Sequence, residues 1–324
     1  MEQRVVMITG ANSGIGKDAA LKFAMEGFTV VMGCRDLEYS RQVQEEIIAK
    51  SHHDRVTLME VDLSSFESIR CFCEKFKGAF DRLDILIHNA AYFKHGAEHK
   101  LSPDNIEITF ATNVFGPFLM TSLLLDVLRK SNDARILHAG SNIIKEFFDP
   151  KKEIEFDKLQ GEIEDKKSYS VYKMYCQSKM ALLMLTFKMA EEFKDDGIKV
   201  NALQINGAKM SKRTLKNIKH GWREIAYVQN LFFPEPSYMA SKYFAICTSD
   251  DFKETTGKLF NDKLEVMQPA PAEYPGFVKN MKQVLGRDVY SSYAENKQVM
   301  EKVWNLSEEL TESYRILKDK EPVG

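Results

Sequence analysis

Short apolar runs alternate with longer segments of helical periodicity along most of the chain. Arg4-Val-Val-Met-Ile-Thr-Gly10 is an apolar run closed by glycine, the pattern of a strand buried on both faces of a parallel sheet. A helical pattern follows from Lys17 to Glu26. Similar runs recur at 28–35, 56–61, 83–88, 135–141 and 198–205, with a short one near Leu259. Charged or amphipathic helical segments at 38–50 and 65–77 separate the first of them. This alternation predicts an α/β fold, a doubly wound parallel sheet of Rossmann type.

Ser102-Pro103 reads as an N-cap and first-turn pair for a helix running to Leu128. Inside it Pro117 lacks a donor and its ring opposes the Asn113 carbonyl, so a kink with a freed main-chain acceptor is expected. Residues 142–168 form a charged excursion containing Pro150 and Gly161, and the next helix continues apolar through Leu185. From Lys209 to Pro236 the periodicity loosens while Trp222, Ile225, Tyr227, Val228, Leu231, Phe232 and Phe233 cluster. A mobile lid over an apolar cleft is expected there. A helix over 237–247 follows, and two helical stretches lie beyond 265, one of them from Gln298 to Tyr314. The organisation expected is one domain over 1–264 with a C-terminal helical extension, 265–324, packed on it.

The chain has 324 residues, 44% of them hydrophobic, which suits a single large α/β domain. A net charge of −2 gives no reason to expect nucleic acid or an anionic membrane as partner. The apolar runs fall short of the ~20 residues that span a bilayer, and the first strand begins too early for a signal peptide. Five scattered cysteines read as reduced thiols in the cytoplasm. No metal site is expected: Cys71 and Cys73 point to opposite sides of a helix, and His95 and His99 sit in a loop without a third ligand. Asn305-Leu-Ser307 matches a glycosylation pattern by chance.

Candidate chemistry begins at Thr9-Gly10-Ala11-Asn12-Ser13-Gly14-Ile15-Gly16, between the first strand and the first helix. Gly10 permits a tight turn, Gly14 lets backbone approach a pyrophosphate, and Gly16 lets the helix pack close. The helix N-terminus attracts the phosphate charge. At the end of the second strand, where an acid would hold a ribose 2′-hydroxyl, stand Cys34 and Arg35. A guanidinium suits a 2′-phosphate, so NADP is expected in preference to NAD, with Lys17 as a second cation and Asp36 as a neutralising neighbour. Asp62-Leu63 lies where the adenine ring would rest.

Tyr175-Cys-Gln-Ser-Lys179 puts a phenol and an ammonium on one helix face. An ammonium nearby would draw the phenol down from ~10 toward the range where general acids and bases work. Tyr169 and Lys173 repeat the spacing inside the polar excursion.

The ordered set of the 9–16 turn, Asn89-Ala90, Asn113, Ser141 and Tyr175-x-x-Ser178-Lys179 resembles the short-chain dehydrogenases/reductases over about 5–260. Gly33-Cys34-Arg35-Asp36, Asp62-Leu63-Ser64, Leu159-Gln160-Gly161-Glu162 and the long spacing from Ser141 to Tyr175 are similar to its retinol-dehydrogenase-like branch. The resemblance implies Tyr175 as general acid or base, Lys179 as its modulator and the ribose holder, and Ser141 as donor to the substrate oxygen. The Asn113 carbonyl would hold a relay water. It further implies a lipophilic substrate such as a retinoid, steroid or fatty aldehyde, and a dimer. Three positions depart from the family pattern: Ala91 for glycine, Gly140 for serine, Asn206 for proline. They keep open a non-catalytic dinucleotide-binding sensor or scaffold of the same fold. A third reading, compatible with the first, gives the 222–233 cluster a peripheral membrane contact.

Overall fold

The apolar runs become strands because their backbone donors and acceptors must pair once the side chains leave water. β1 (Val5–Thr9) is buried along its whole length. It is followed by β2 (Thr29–Cys34), β3 (Val56–Glu60), β4 (Ile85–His88), β5 (Arg135–Ala139), β6 (Lys199–Leu203) and β7 (Lys258–Phe260). The computed structural model from which these bounds come describes residues 3–163, 169–211, 215, 222–271, 283 and 286–316. The seven strands form one parallel sheet in the order β3-β2-β1-β4-β5-β6-β7. The order reverses between β1 and β4, and in such sheets ligands settle outside the strand ends at that reversal.

Helices cover both faces. On one lie α1 (Gly14–Met25) and α2 (Leu37–Ser51). On the other lie α3 (Phe66–Ala79), α4 (Ile108–Leu128) and α5 (Val171–Glu192). The two apolar clusters formed this way divide along the sheet. Further on come α6 (Trp222–Phe232), α7 (Pro236–Thr248) and α8 (Lys297–Ile316). A two-stranded ribbon pairs β8 (Gln268–Pro269) with β9 (Val289–Tyr290). α8 lies against α4 and α5, with Met300 and Val303 buried and Trp304, Leu310 and Tyr314 partly so.

Several expectations change. The helix containing Asn113 begins at Ile108, not at Ser102. The Ser102 hydroxyl accepts from Asp104 and Ile106 backbone N–H groups, and Asn105 takes a left-handed φ of 59°. Glu107, wholly buried, caps the helix instead, its carboxylate accepting from Thr109 and Phe110 N–H. The disruption expected at Pro117 appears one turn earlier, as a π-helical turn over Ala111–Phe115 in which the Gly116 N–H bonds Ala111. A proline with no N–H downstream tolerates this widening. α4 is also 21 residues long and apolar enough to cross a bilayer, contrary to the sequence expectation, yet 78% of its apolar stretch is buried inside the protein. Of the expected lid, residues 212–214 and 216–221 lie outside the described residues, and 222–232 is a regular helix. Tyr227, Val228, Leu231 and Phe232 on it are 49%, 58%, 77% and 82% exposed.

Candidate active site

The glycine turn is locked to the end of β4. Asn89 Nδ2 donates to the Thr9 and Gly10 carbonyls at 3.0 and 3.3 Å, and the Asn89 and Ala90 N–H groups reach the Thr9 hydroxyl at 3.1 Å. The Tyr243 hydroxyl on α7 donates to Asn89 Oδ1 at 3.3 Å. A methyl at Gly16 would fall 2.4 Å from Asn89 Nδ2 and from the Gly10 carbonyl, so only glycine lets α1 approach this closely. Gly10 and Gly14 take left-handed φ values of 66° and 53°, and a methyl at Gly14 would project into open space. Ser13 stands at the N-cap of α1 without a capping side-chain bond, and no acid lies in the first turn. Ile15 packs partly buried on the cluster beneath. These features fit the phosphates of a dinucleotide.

Beside this turn Asn12 Nδ2 donates to the Ser40 hydroxyl at 2.8 Å. Cys34 is buried, while Arg35 is exposed and makes no ion pair or hydrogen bond among the described residues. Lys17, expected to assist it, instead pairs with Glu46 at 2.6 Å. Asp36 caps α2 by accepting the Tyr39 N–H at 3.0 Å. Asp62 folds back on Ser64, whose N–H and hydroxyl reach its Oδ1 at 2.9 and 2.7 Å, with Leu63 buried between them.

The second cluster joins α4, α5 and the end of β5. Asn113, 1% exposed, holds the Tyr92 backbone from both sides: Oδ1 accepts its N–H at 2.6 Å, and Nδ2 donates to its carbonyl at 3.1 Å. The same Nδ2 reaches the Ser178 hydroxyl at 3.1 Å, which donates to the Tyr175 carbonyl at 2.9 Å. Ser141 follows β5 as N-cap of a short 3₁₀ helix, accepting the Ile143 N–H at 3.3 Å, and its side chain lies near enough to the Tyr175 phenol to favour the charged form. Burial pushes the phenol up to about 12, with the Ser141 contact pulling the other way. Lys179, 3% exposed, donates to the Ala139 carbonyl at 2.8 Å, and burial draws it down to about 8. Its ammonium stands 5.8 Å from the Tyr175 ring centre. The expectation that Lys179 depresses the phenol is therefore corrected: desolvation dominates and raises it. Asn113, Ser141, Tyr175 and Lys179 are nonetheless brought together, next to Asn89 and Ala90.

Tyr169 is elsewhere. Its hydroxyl donates to the buried Glu107 carboxylate at 2.8 Å, and burial beside that charge holds the phenol well above its ordinary value. The three departures are each accommodated. Ala91 is exposed and has no left-handed φ. Gly140 donates its N–H to the Leu203 carbonyl at 2.9 Å, where a Cβ would lie 2.9 Å from that same oxygen. Asn206 lies in the loop just past β6 with its Nδ2 buried and without a hydrogen-bond partner among the described residues, open to a polar ligand group.

Two features escaped the sequence. His88 and His138, opposite each other on β4 and β5, stack at 5.1 Å and are held neutral by burial, His88 down to about 3. Phe93 stacks on Tyr175 with ring centres 4.6 Å apart. Neither an apolar-strand pattern at 85–88 and 135–139 nor a loop aromatic at 93 signals these contacts.

A family model for the short chain dehydrogenases matches residues 4–148. Retinol dehydrogenase 13 of Mus musculus is 31% identical over 83% of this chain and 78% of its own. Retinol dehydrogenase 12 of Mus musculus is 31% identical over 95% of this chain and 86% of its own. A short chain dehydrogenase of Shigella flexneri, solved with NADP, superposes with a TM-score of 0.62 at 21% identity, over 81% of this chain and 98% of its own. One of Escherichia coli, solved with NADPH, gives the same TM-score, identity and coverage of both chains. The sheet order, the glycine turn and these likenesses agree: the chain belongs to the short-chain dehydrogenase family of oxidoreductases, in its retinol-dehydrogenase-like branch.

Proposed function

We propose that the protein is an NADP-dependent oxidoreductase that interconverts a carbonyl and an alcohol on a lipophilic substrate of retinoid, steroid or fatty aldehyde type. One observation carries the reading: at the end of β5 the buried Lys179 ammonium holds the Ala139 carbonyl at 2.8 Å and stands 5.8 Å from the centre of the Tyr175 ring, with Ser141 nearby. When bound, the dinucleotide supplies or accepts the hydride. Gly14 and the open first turn of α1 would hold its pyrophosphate, Arg35 a 2′-phosphate, Asp62 and Leu63 the adenine end, and Lys179 the nicotinamide ribose. The buried Asn206 Nδ2 offers a donor on the nicotinamide side.

In carbonyl reduction Ser141 orients the substrate oxygen and Tyr175 delivers a proton to it as the carbon gains hydride. In the reverse direction the same phenol would act as the base toward an alcohol. Lys179, drawn down to about 8, would return a proton through a water on the Asn113 carbonyl. The exposed apolar face of α6 supports a peripheral contact with a lipid surface, from which such a substrate would come. Five free thiols, only Cys71 partly exposed, support the cytoplasmic setting.

A carbonyl panel assayed with NADPH and NADH separately tests this. Turnover with NADPH is expected. A protein that binds NADPH and turns over nothing across retinals, ketosteroids and long-chain aldehydes is the sensor or scaffold instead.

A further inference from the structure

The loop after β4 reaches over the site. Asn113 grips the Tyr92 backbone with both ends of its amide and holds Ser178, one turn along from Tyr175, with the same Nδ2. One buried side chain thus fixes the loop and the helix to each other. The next loop residue, Phe93, lies nearly parallel on the Tyr175 ring, 4.6 Å between centres and 29° between planes. His95 meets its other neighbourhood edge-on at 4.7 Å. Phe93 is 38% exposed and Tyr175 is partly exposed, so Phe93 covers one face of the ring and is not a core residue.

We propose that Phe93 is a positioning residue for Tyr175: stacked on one face of the ring, it fixes the ring's orientation and narrows the approach of water to it, and it forms an apolar wall where substrate enters. This rests on the oxidoreductase reading above. Offset stacking favours one ring orientation, and covering one face of the ring leaves fewer directions from which solvent can compete with Ser141 for the phenol. The groups around the phenol are few: Ser141, with Lys179 and Cys176 on α5, Tyr243 on α7, and His95 behind Phe93. Burial is the largest influence on its titration, so uncovering it should move that titration down toward a free tyrosine.

Phe93→Ala, Phe93→Leu and Phe93→Tyr would be compared with wild type for NADPH affinity, melting temperature, and kcat and KM of carbonyl reduction from pH 6 to 11. In parallel, proteins carrying ¹³C-labelled tyrosine would be titrated by NMR, with Tyr175→Phe assigning the resonance. Phe93→Ala should lower kcat roughly tenfold at unchanged NADPH affinity. Its Tyr175 resonance and the alkaline limb of its rate should both move to lower pH, Phe93→Tyr should restore both, and Phe93→Leu should lie between. A Phe93→Ala or, should that variant not fold, a Phe93→Leu protein whose Tyr175 titrates as in wild type overturns the proposal. The NMR arm needs no turnover: an inert wild type whose resonance still shifts in Phe93→Ala sinks the catalytic reading but leaves the positioning contact standing.

Discussion

The Lys179 ammonium donates to the Ala139 carbonyl oxygen at 2.8 Å, on the last residue of β5, and stands 5.8 Å from the centre of the Tyr175 ring. Burial there lowers its pKa from 10.5 to about 8. Between those two pH values the unfolded chain binds a proton that the folded chain does not, so stability rises with pH across that window. The rise expected of the ligand-free protein is ~3 kcal/mol, from a shift of that size. Lys179→Met should lack this increment. Chemical denaturation at pH 7, 8, 9 and 10 checks it, and parallel curves for the two proteins would refute it.

Tyr175→Phe keeps the ring and removes only the hydroxyl. General acid catalysis typically contributes ~10²–10⁴-fold, and kcat should fall by about that factor while NADPH affinity holds. Tyr169→Phe should leave kcat alone but cost on the order of 1.5–3 kcal/mol, because the buried Glu107 carboxylate loses its hydroxyl partner. Steady-state kinetics and denaturant curves on the two variants separate these outcomes.

Arg35 is an exposed cation at the end of β2, where Cys34 leaves no acid. Removing a charge-assisted contact to a 2′-phosphate costs roughly 1.5–3 kcal/mol. Arg35→Ala should therefore weaken NADPH by that amount and NADH hardly at all, as read by fluorescence titration. A wild type that binds NADH more tightly contradicts the assignment.

Gly116 begins the α-helical stretch after the π turn, and a methyl there would fall 2.3 Å from the Leu63 carbonyl oxygen and 2.9 Å from that of Ala111. Neither backbone group can yield cheaply. Gly116→Ala should cost about 1–3 kcal/mol. It should also weaken NADPH, because Leu63 belongs to the proposed adenine pocket. Thermal melts with and without NADPH would show both effects.

The exposed face of α6 carries Leu231 and Phe232 at 77% and 82% exposure. Replacing both by serine should abolish co-sedimentation with phospholipid vesicles and leave reduction of a short, water-soluble aldehyde unchanged. A wild type that fails to sediment with vesicles removes the membrane contact from the reading.

Much of this protein was legible in the chain itself, because its signals are local. A strand buried on both faces needs only a run of apolar residues. The turn at 9–16 needs glycine at positions fixed by its own backbone, and Tyr175 and Lys179 share a helix face because they are four apart. These are properties of a few consecutive residues, and they survive into the fold with small changes of boundary. What the tertiary structure decided lies in pairs distant in sequence. Ser102-Pro103 satisfies the local rule for a helix start, yet Glu107 wins because its carboxylate is buried and bonded by Tyr169, 62 residues later. Lys179 pairs with Ala139, 40 residues earlier, so burial and not its neighbour Tyr175 governs its charge. Phe93 reads as an ordinary loop aromatic until Asn113 fixes Tyr92 and lays its neighbour over the phenol. Desolvation depends on everything that surrounds a group, and no stretch of sequence carries that information.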